Sequence, residues 1–208
     1  MGSLAMHLVS SYKIKDKYDT LGDNFIVGVL APDILKKITS RDETHFMEDT
    51  INIVGDPATL PNLDKYIMNH IDCMDAYHLG YLCHLIQDKL WFEKYIPSVT
   101  KLIDDNTVEY FCDNSLHSFD DYHKDIYADY SKIDNYLLNI YHFDIAKIRK
   151  DIIEYFRKDE ITKIVNKEII LYNFDEKREN RLIDFKLANE YIEEAIEQSI
   201  AILNTLYK

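Results

Sequence analysis

The chain has 208 residues, 47% of them apolar, with only 5 Gly and 4 Pro, which suits one domain with a hydrophobic core and leaves too few turn formers for a many-stranded barrel. A net charge of -13 opposes extended nucleic-acid binding and docking on an anionic membrane through a basic patch. No stretch approaches the roughly 20 apolar residues of a transmembrane helix, no secretory leader is visible, and three cysteines without a C-x-x-C pair suit a reducing cytoplasm better than a disulfide framework or thiolate zinc ribbon.

The expected architecture is an all-α, single-domain multi-helix bundle spanning 1–208, in which residues 1–5 could be an addition ahead of a natural start at Met6. Residues 7–15 carry apolar positions at Leu8, Val9, Tyr12 and Ile14 and read as a first helix with His7 on its inner edge. The apolar run 23–30 ends in Ala31-Pro32-Asp33; a residue before proline is pushed out of helical geometry, so a break and a helix junction at Asp33 are expected. Residues 36–44 are polar, and Gly55-Asp56-Pro57 through Pro61 reads as a loop. Residues 64–70 read as a helix. Residues 74–95 form a long apolar central helix broken by Gly80 and closed by Pro97.

Beyond it, residues 108–144 are rich in Tyr, Asp and His, with helical spacing at Ile133, Tyr136, Leu137 and Ile140. Residues 145–165 read as a helix through Ile148, Ile152, Tyr155 and Phe156, and 168–180 as a polar connection. Phe185, Ala188, Ile192, Ala195, Ser199, Leu203 and Leu206 step by three and four residues and mark an amphipathic closing helix.

His84 and Asp88 stand four apart in the central helix, a spacing that puts an imidazole and a carboxylate on one face about 5–6 Å apart at Cβ. A hydrogen-bonded pair without metal is the plainer reading. The apolar neighbours Leu82, Cys83, Leu85 and Ile86 alter it, because an ionised Asp88 there needs a compensating charge that a cation would supply. Asp33 and His45 add two ligand types at expected bends, where a helix cap and a half-buried histidine are the ordinary alternatives.

His7-Leu8, Gly28-Val29-Leu30-Ala31-Pro32-Asp33, Thr44-His45-Phe46 and Leu79-Gly80-Tyr81-Leu82-Cys83-His84-Leu85-Ile86-Gln87-Asp88 follow one another in the order and approximate spacing of the zinc-dependent phospholipase C family. That family is itself similar to the P1-type nucleases. The resemblance covers about the N-terminal half. It implies an all-α fold holding up to three zinc ions and hydrolysing a phosphodiester, here a small phosphodiester or a phospholipid, with a metal-activated water. Under it His45, His84 and Asp88 look like ligands of one zinc, Asp88 bridging to a second that His7 also binds, and Asp33 looks like the carboxylate that orients or deprotonates the water.

Two departures from the family pattern stand out. No Trp begins the chain, and Lys94 occupies the place of a third-zinc histidine, so two metals are expected rather than three. His117 and Asp121 keep a His-x-x-x-Asp spacing, and His123, Asp125 and Asp129 lie near them as substitutes. Manganese or iron would also suit His and carboxylate ligands. Tyr81, Trp91 and the tyrosines at 95, 122, 127, 130 and 136 are candidates to line a substrate pocket, with core packing as the alternative. His70, His78 and His142 match nothing in the family pattern. Rival readings are a non-catalytic helical interaction protein with a structural metal and, within the same chemistry, a nucleotide or nuclease-type phosphoesterase.

Overall fold

In a computed structural model of the chain, residues 2–18, 20–168 and 179–206 are described. In chain order these are α1 (Leu4–Lys15), α2 (Gly22–Leu35), the single turn α3 (Arg41–Thr44), β1 (Met47–Ile51), β2 (Pro57–Pro61), α4 (Leu63–His70) and α5 (Ala76–Leu90). Then come β3 (Thr100–Asp104), β4 (Thr107–Tyr110), β5 (Ser115–Ser118), α6 (Phe119–Tyr141), α7 (Ile145–Phe156), α8 (Asp159–Glu168) and α9 (Phe185–Leu206). The fold is mainly helical, but the all-α expectation needs a correction: β1 and β2 form an antiparallel hairpin, and β3-β4-β5 an antiparallel meander. No helix among the described residues is long and apolar enough to cross a membrane.

Ser3 caps α1 by accepting the Met6 amide, and Lys13 and Lys15 stand in its last turn, where the helix dipole favours cations. Residues 2–5 thus belong to the fold, and Ala5 is fully buried. Helices α1, α2 and α5 are buried on most of their faces, as enclosed helices must be, and α6, α7 and α9 pack amphipathic faces around them.

The largest contact between elements is that of α2 with α5. It is made through two glycines. A Cβ on Gly28 would lie 2.0 Å from the Tyr77 carbonyl oxygen, and one on Gly80 would lie 2.0 Å from that of Phe25. Gly80 therefore does not break α5; it admits the α2 backbone. Pro32 does not break α2 either. The helix runs on to Leu35, placing Asp33 in its last turn rather than at a junction. Proline forfeits one backbone hydrogen bond there, a local cost that burial of the apolar residues from Phe25 to Ile34 outweighs.

The expected loop at 55–61 is instead the turn and second strand of the β1-β2 hairpin. Asn52 Oδ1 accepts the Val54 and Asp56 amides, Gly55 takes a positive φ of 88°, and Pro57 and Pro61 occupy the ends of β2, where a missing N–H matters least. The central helix ends earlier than expected: α5 passes into a π-helical turn, Trp91–Tyr95, before a short 3-10 turn containing Pro97. The single helix expected over 145–165 is two, separated where Arg157 adopts a left-handed φ of 51° and its amide caps the Ile153 carbonyl. Of the connection expected at 168–180, positions 169–178 lie outside the described residues.

The glycine crossing yields a direct test. Gly80→Ala is expected to cost about 3 kcal/mol or more, since the new methyl meets backbone rather than a yielding side chain. A urea denaturation curve measures it, and an unchanged midpoint would contradict backbone contact between α2 and α5.

Candidate metal centre

Five side chains from four parts of the chain meet at one end of the α2-α5 crossing. His7 comes from the second turn of α1, Asp33 from the last turn of α2, His45 from the residue after α3, and His84 and Asp88 from successive turns of α5. His45 is aimed inward by a local reversal. Phe46 takes a left-handed φ of 53°, and its carbonyl accepts the Asn62 amide at 2.9 Å. Such a φ costs a bulky residue about 1–3 kcal/mol. Packing of the Phe46 ring against Tyr66 and Tyr81, and a 2.5 Å hydrogen bond from the Tyr81 hydroxyl to the Thr44 carbonyl, hold the reversal.

The ligand-type atoms converge closely. His84 Nε2 lies 3.3 Å from His45 Nε2 and 3.7 Å from Asp88 Oδ2; His45 Nε2 is 3.6 Å from Asp88 Oδ2 and 3.4 Å from Asp33 Oδ1. His7 Nε2 stands 3.4 Å from Asp88 Oδ1, and the His7 and His84 rings stack at 4.2 Å. Two overlapping sets, His7-Asp33-His84 and His45-His84-Asp88, each have ligand atoms within 4.8 Å of one another.

These separations exceed those of good hydrogen bonds, which reach about 3.2 Å, but two ligands held about 2.1 Å from a tetrahedral cation stand about 3.4 Å apart. Bond satisfaction points the same way: His7 Nε2 and Asp88 Oδ2 are buried without a hydrogen-bond partner. Buried polar atoms seldom go unpaired. The buried His/Asp cluster could therefore hold a metal ion.

The surroundings prepare the donors. His7 Nδ1 lies 2.6 Å from Gln87 Oε1, an acceptor, so Nδ1 carries the proton and Nε2 turns a lone pair inward. Thr44 Oγ1 donates to the Ser40 carbonyl and can accept from His45 Nδ1 at 2.9 Å, with the same result. Burial pushes His84 down to about 3, so it is a neutral imidazole at ordinary pH. Burial opposes ionisation of Asp33, yet His45, His84 and Lys36 hold its carboxyl well below the usual range. Asp88 is likewise held low against burial, with His84 and His7 contributing, and Asp88 and Asp33 raise His7 against its own burial.

Four of the five residues are sealed from solvent; the Asp33 side chain is 23% exposed. Asp33 borders a cavity of about 1040 Å³ that is also lined by the cationic Lys36, Lys37 and Arg41 and by the apolar or aromatic Phe92, Ile96, Leu102, Phe119 and Tyr127. Lys36 Nζ donates to Asp33 Oδ1 at 2.8 Å.

The remaining sequence candidates lie elsewhere. Tyr81 and Trp91 are core residues that do not border this cavity; Trp91 Nε1 donates to the Tyr130 hydroxyl. Tyr122, Tyr127 and Tyr130 do border it. His117 sits on β5, stacked on Tyr110 and bonded to the Ser115 hydroxyl, whereas Asp121 is in the first turn of α6 beside Ser118 and Lys124. The helix starts between them, so their spacing of four does not place them on one helix face. His123 is exposed and borders the cavity. Asp129 is buried but accepts the backbone amides of Arg181, Leu182 and Ile183, while Asp125 accepts from Arg181 Nη1. Lys94 pairs with Glu194 at 2.5 Å. Sequence reasoning missed Gln87, Thr44 and Lys36 as supports. Gln87 alone carried a signal: a polar residue beside Asp88 in an apolar helix, three positions after His84.

Two outcomes follow from this geometry. Metal-stripped protein titrated with zinc is expected to melt higher, with a stabilisation of about 4 kcal/mol at a thousandfold excess over Kd, and His84→Ala or Asp88→Ala should abolish the shift in differential scanning fluorimetry. Asp129→Ala should instead lower stability by about 2–3 kcal/mol by orphaning backbone amides, while zinc bound per chain, read by elemental analysis, stays unchanged. Compared with known proteins, the chain matches no family model, no curated protein and no solved structure.

Proposed function

We propose that this protein is a zinc-dependent phosphodiesterase, in keeping with its resemblance to the phospholipase C family. One observation carries the reading: a buried cluster of three imidazoles and two carboxylates reaches solvent space at Asp33, beside cationic side chains and an apolar wall. His7, His45, His84 and Asp88 would hold the cation, or two cations. Imidazole and carboxylate donors together suit zinc, though not zinc alone. Bound there, zinc would supply Lewis acidity, lowering the pKa of a water and neutralising charge that develops on the phosphoryl group.

The chain's own residues do the rest. Asp33 borders both the cavity and the cluster, its Oδ1 lying 3.4 Å from His45 Nε2, so its carboxylate would orient the attacking water and receive its proton. Lys36, paired with that oxygen at 2.8 Å, keeps the carboxylate ionised and placed. Arg41, exposed beside the cavity with its guanidinium 5.0 Å from the Phe92 ring, can meet a phosphate through two parallel N–H donors. The apolar wall favours a phosphodiester with one apolar substituent, and the chain's charge of -13 disfavours a long polyanion.

Hydrolysis of bis(p-nitrophenyl) phosphate tests the reading. Expected are turnover lost on chelation and restored by zinc, and a fall in kcat of about a hundredfold or more in Asp33→Asn with zinc content retained. Stoichiometric zinc without turnover on this or on an apolar-substituted phosphodiester would overturn the enzyme reading in favour of a structural metal.

A further inference from the structure

The three cysteines occupy unlike settings: Cys83 is buried in the core, and Cys73 and Cys112 are exposed. Only Cys73, among the described residues, has a base within reach. It ends the 3-10 turn that joins α4 to α5, and its Sγ lies 3.8 Å from His78 Nε2. On the far side of the ring, His78 Nδ1 lies 2.7 Å from Asp75 Oδ1. A carboxylate oxygen can only accept, so Nδ1 holds the proton and the Nε2 lone pair faces the sulfur.

Asp75 is itself fixed, because the same oxygen caps α5 by accepting the His78 amide at 3.0 Å. The imidazole also lies beside the His70 ring at 5.1 Å, and the His78 carbonyl accepts from the Tyr66 hydroxyl at 3.2 Å. The arrangement is a thiol, a base and a carboxylate orienting that base, in series. It has no part in the metal cluster: His78 precedes His84 by six residues, about 9 Å along the helix axis.

We propose that Cys73 is a nucleophilic thiol, with His78 as its base and Asp75 as a positioning residue, and that it undergoes exchange with small-molecule disulfides. In the forward step the Cys73 proton passes to His78 Nε2, and the thiolate sulfur attacks one sulfur of the disulfide R–S–S–R. The Cys73–S–SR bond forms as the original S–S bond breaks; the departing thiolate takes the proton from His78 and leaves as RSH. The products are a mixed disulfide on Cys73 and one small thiol, and no further oxidant is required.

An aromatic disulfide whose released thiol ionises in the buffer to a coloured thiolate reads the rate on the full chain. Cys112→Ser isolates Cys73, and Cys73→Ser isolates Cys112 as the exposed thiol without such a base. Cys73 is expected to react about tenfold faster than Cys112, and His78→Gln, whose circular dichroism verifies the fold, to bring it down to the Cys112 rate. Asp75→Asn keeps a helix-capping side chain; it should slow Cys73 severalfold and move the His78 imidazole nitrogen resonances away from the Nδ1–H tautomer, which loss of a structural contact alone would not do. Equal rates at Cys73 and Cys112, or a Cys73 rate unchanged in folded His78→Gln, would overturn the proposal. Activity toward the phosphodiester is independent of both outcomes.

Discussion

Two helices that cross with no side chain between them set the terms for everything else in this molecule. Gly28 and Gly80 let the backbones of α2 and α5 touch, and four or five residues beyond that crossing come His84 and Asp33, whose ligand atoms are 3.9 Å apart. A single methyl group at either glycine would have to move backbone, so the crossing acts as a rigid gauge for the cluster. Asp88, one turn further along α5, inherits its place from the same contact. His7 and His45 then approach from α1 and from the reversal after α3.

The electrostatics follow from that rigidity. Two carboxylates in so small a volume repel one another, and burial alone would drive both toward their neutral forms. Both are held low all the same, Asp33 beside His45, His84 and Lys36, and Asp88 beside His84 and His7. Gln87 and Thr44 settle which nitrogens of His7 and His45 face inward, so the donors are oriented before any cation arrives. Preorganisation of this kind lowers the reorganisation that binding would otherwise demand. The unpartnered Nε2 of His7 and Oδ2 of Asp88 are the other side of the same design, since such atoms cost stability unless something pairs with them.

The two small sheets supply what a helical bundle alone would lack. Residues of both β1-β2 and β3-β4 border the cavity that opens at Asp33, with Asp49, Thr50 and Leu60 from one and Lys101, Leu102 and Val108 from the other. Helices set the cluster's geometry, and strands and the first turns of α6 shape the space in front of it. The Cys73–His78–Asp75 series sits outside this division, at the N-terminal end of α5, where the residue that caps the helix also orients an imidazole.

Much of this was legible in the order of residues. Steps of three and four foretold α9, and an imidazole and a carboxylate four apart in an apolar helix foretold a shared face, because both follow from the period of a single helix. The resemblance supplied His7, Asp33 and His45 as partners, and the fold brings all five together. What local rules missed were decisions made by distant contacts. Pro32 and Gly80 are helix breakers by propensity, but the α2-α5 contact runs helix through both; 55–61 is rich in turn formers, yet its last five residues pair with β1; His117 and Asp121 share a spacing but are split by a helix start at Ser118. Periodicity belongs to one element at a time and so can be read along the chain. The opening of the site at Asp33 and the supports from Gln87 and Thr44 depend on which elements meet, and only the packed tertiary structure decides that.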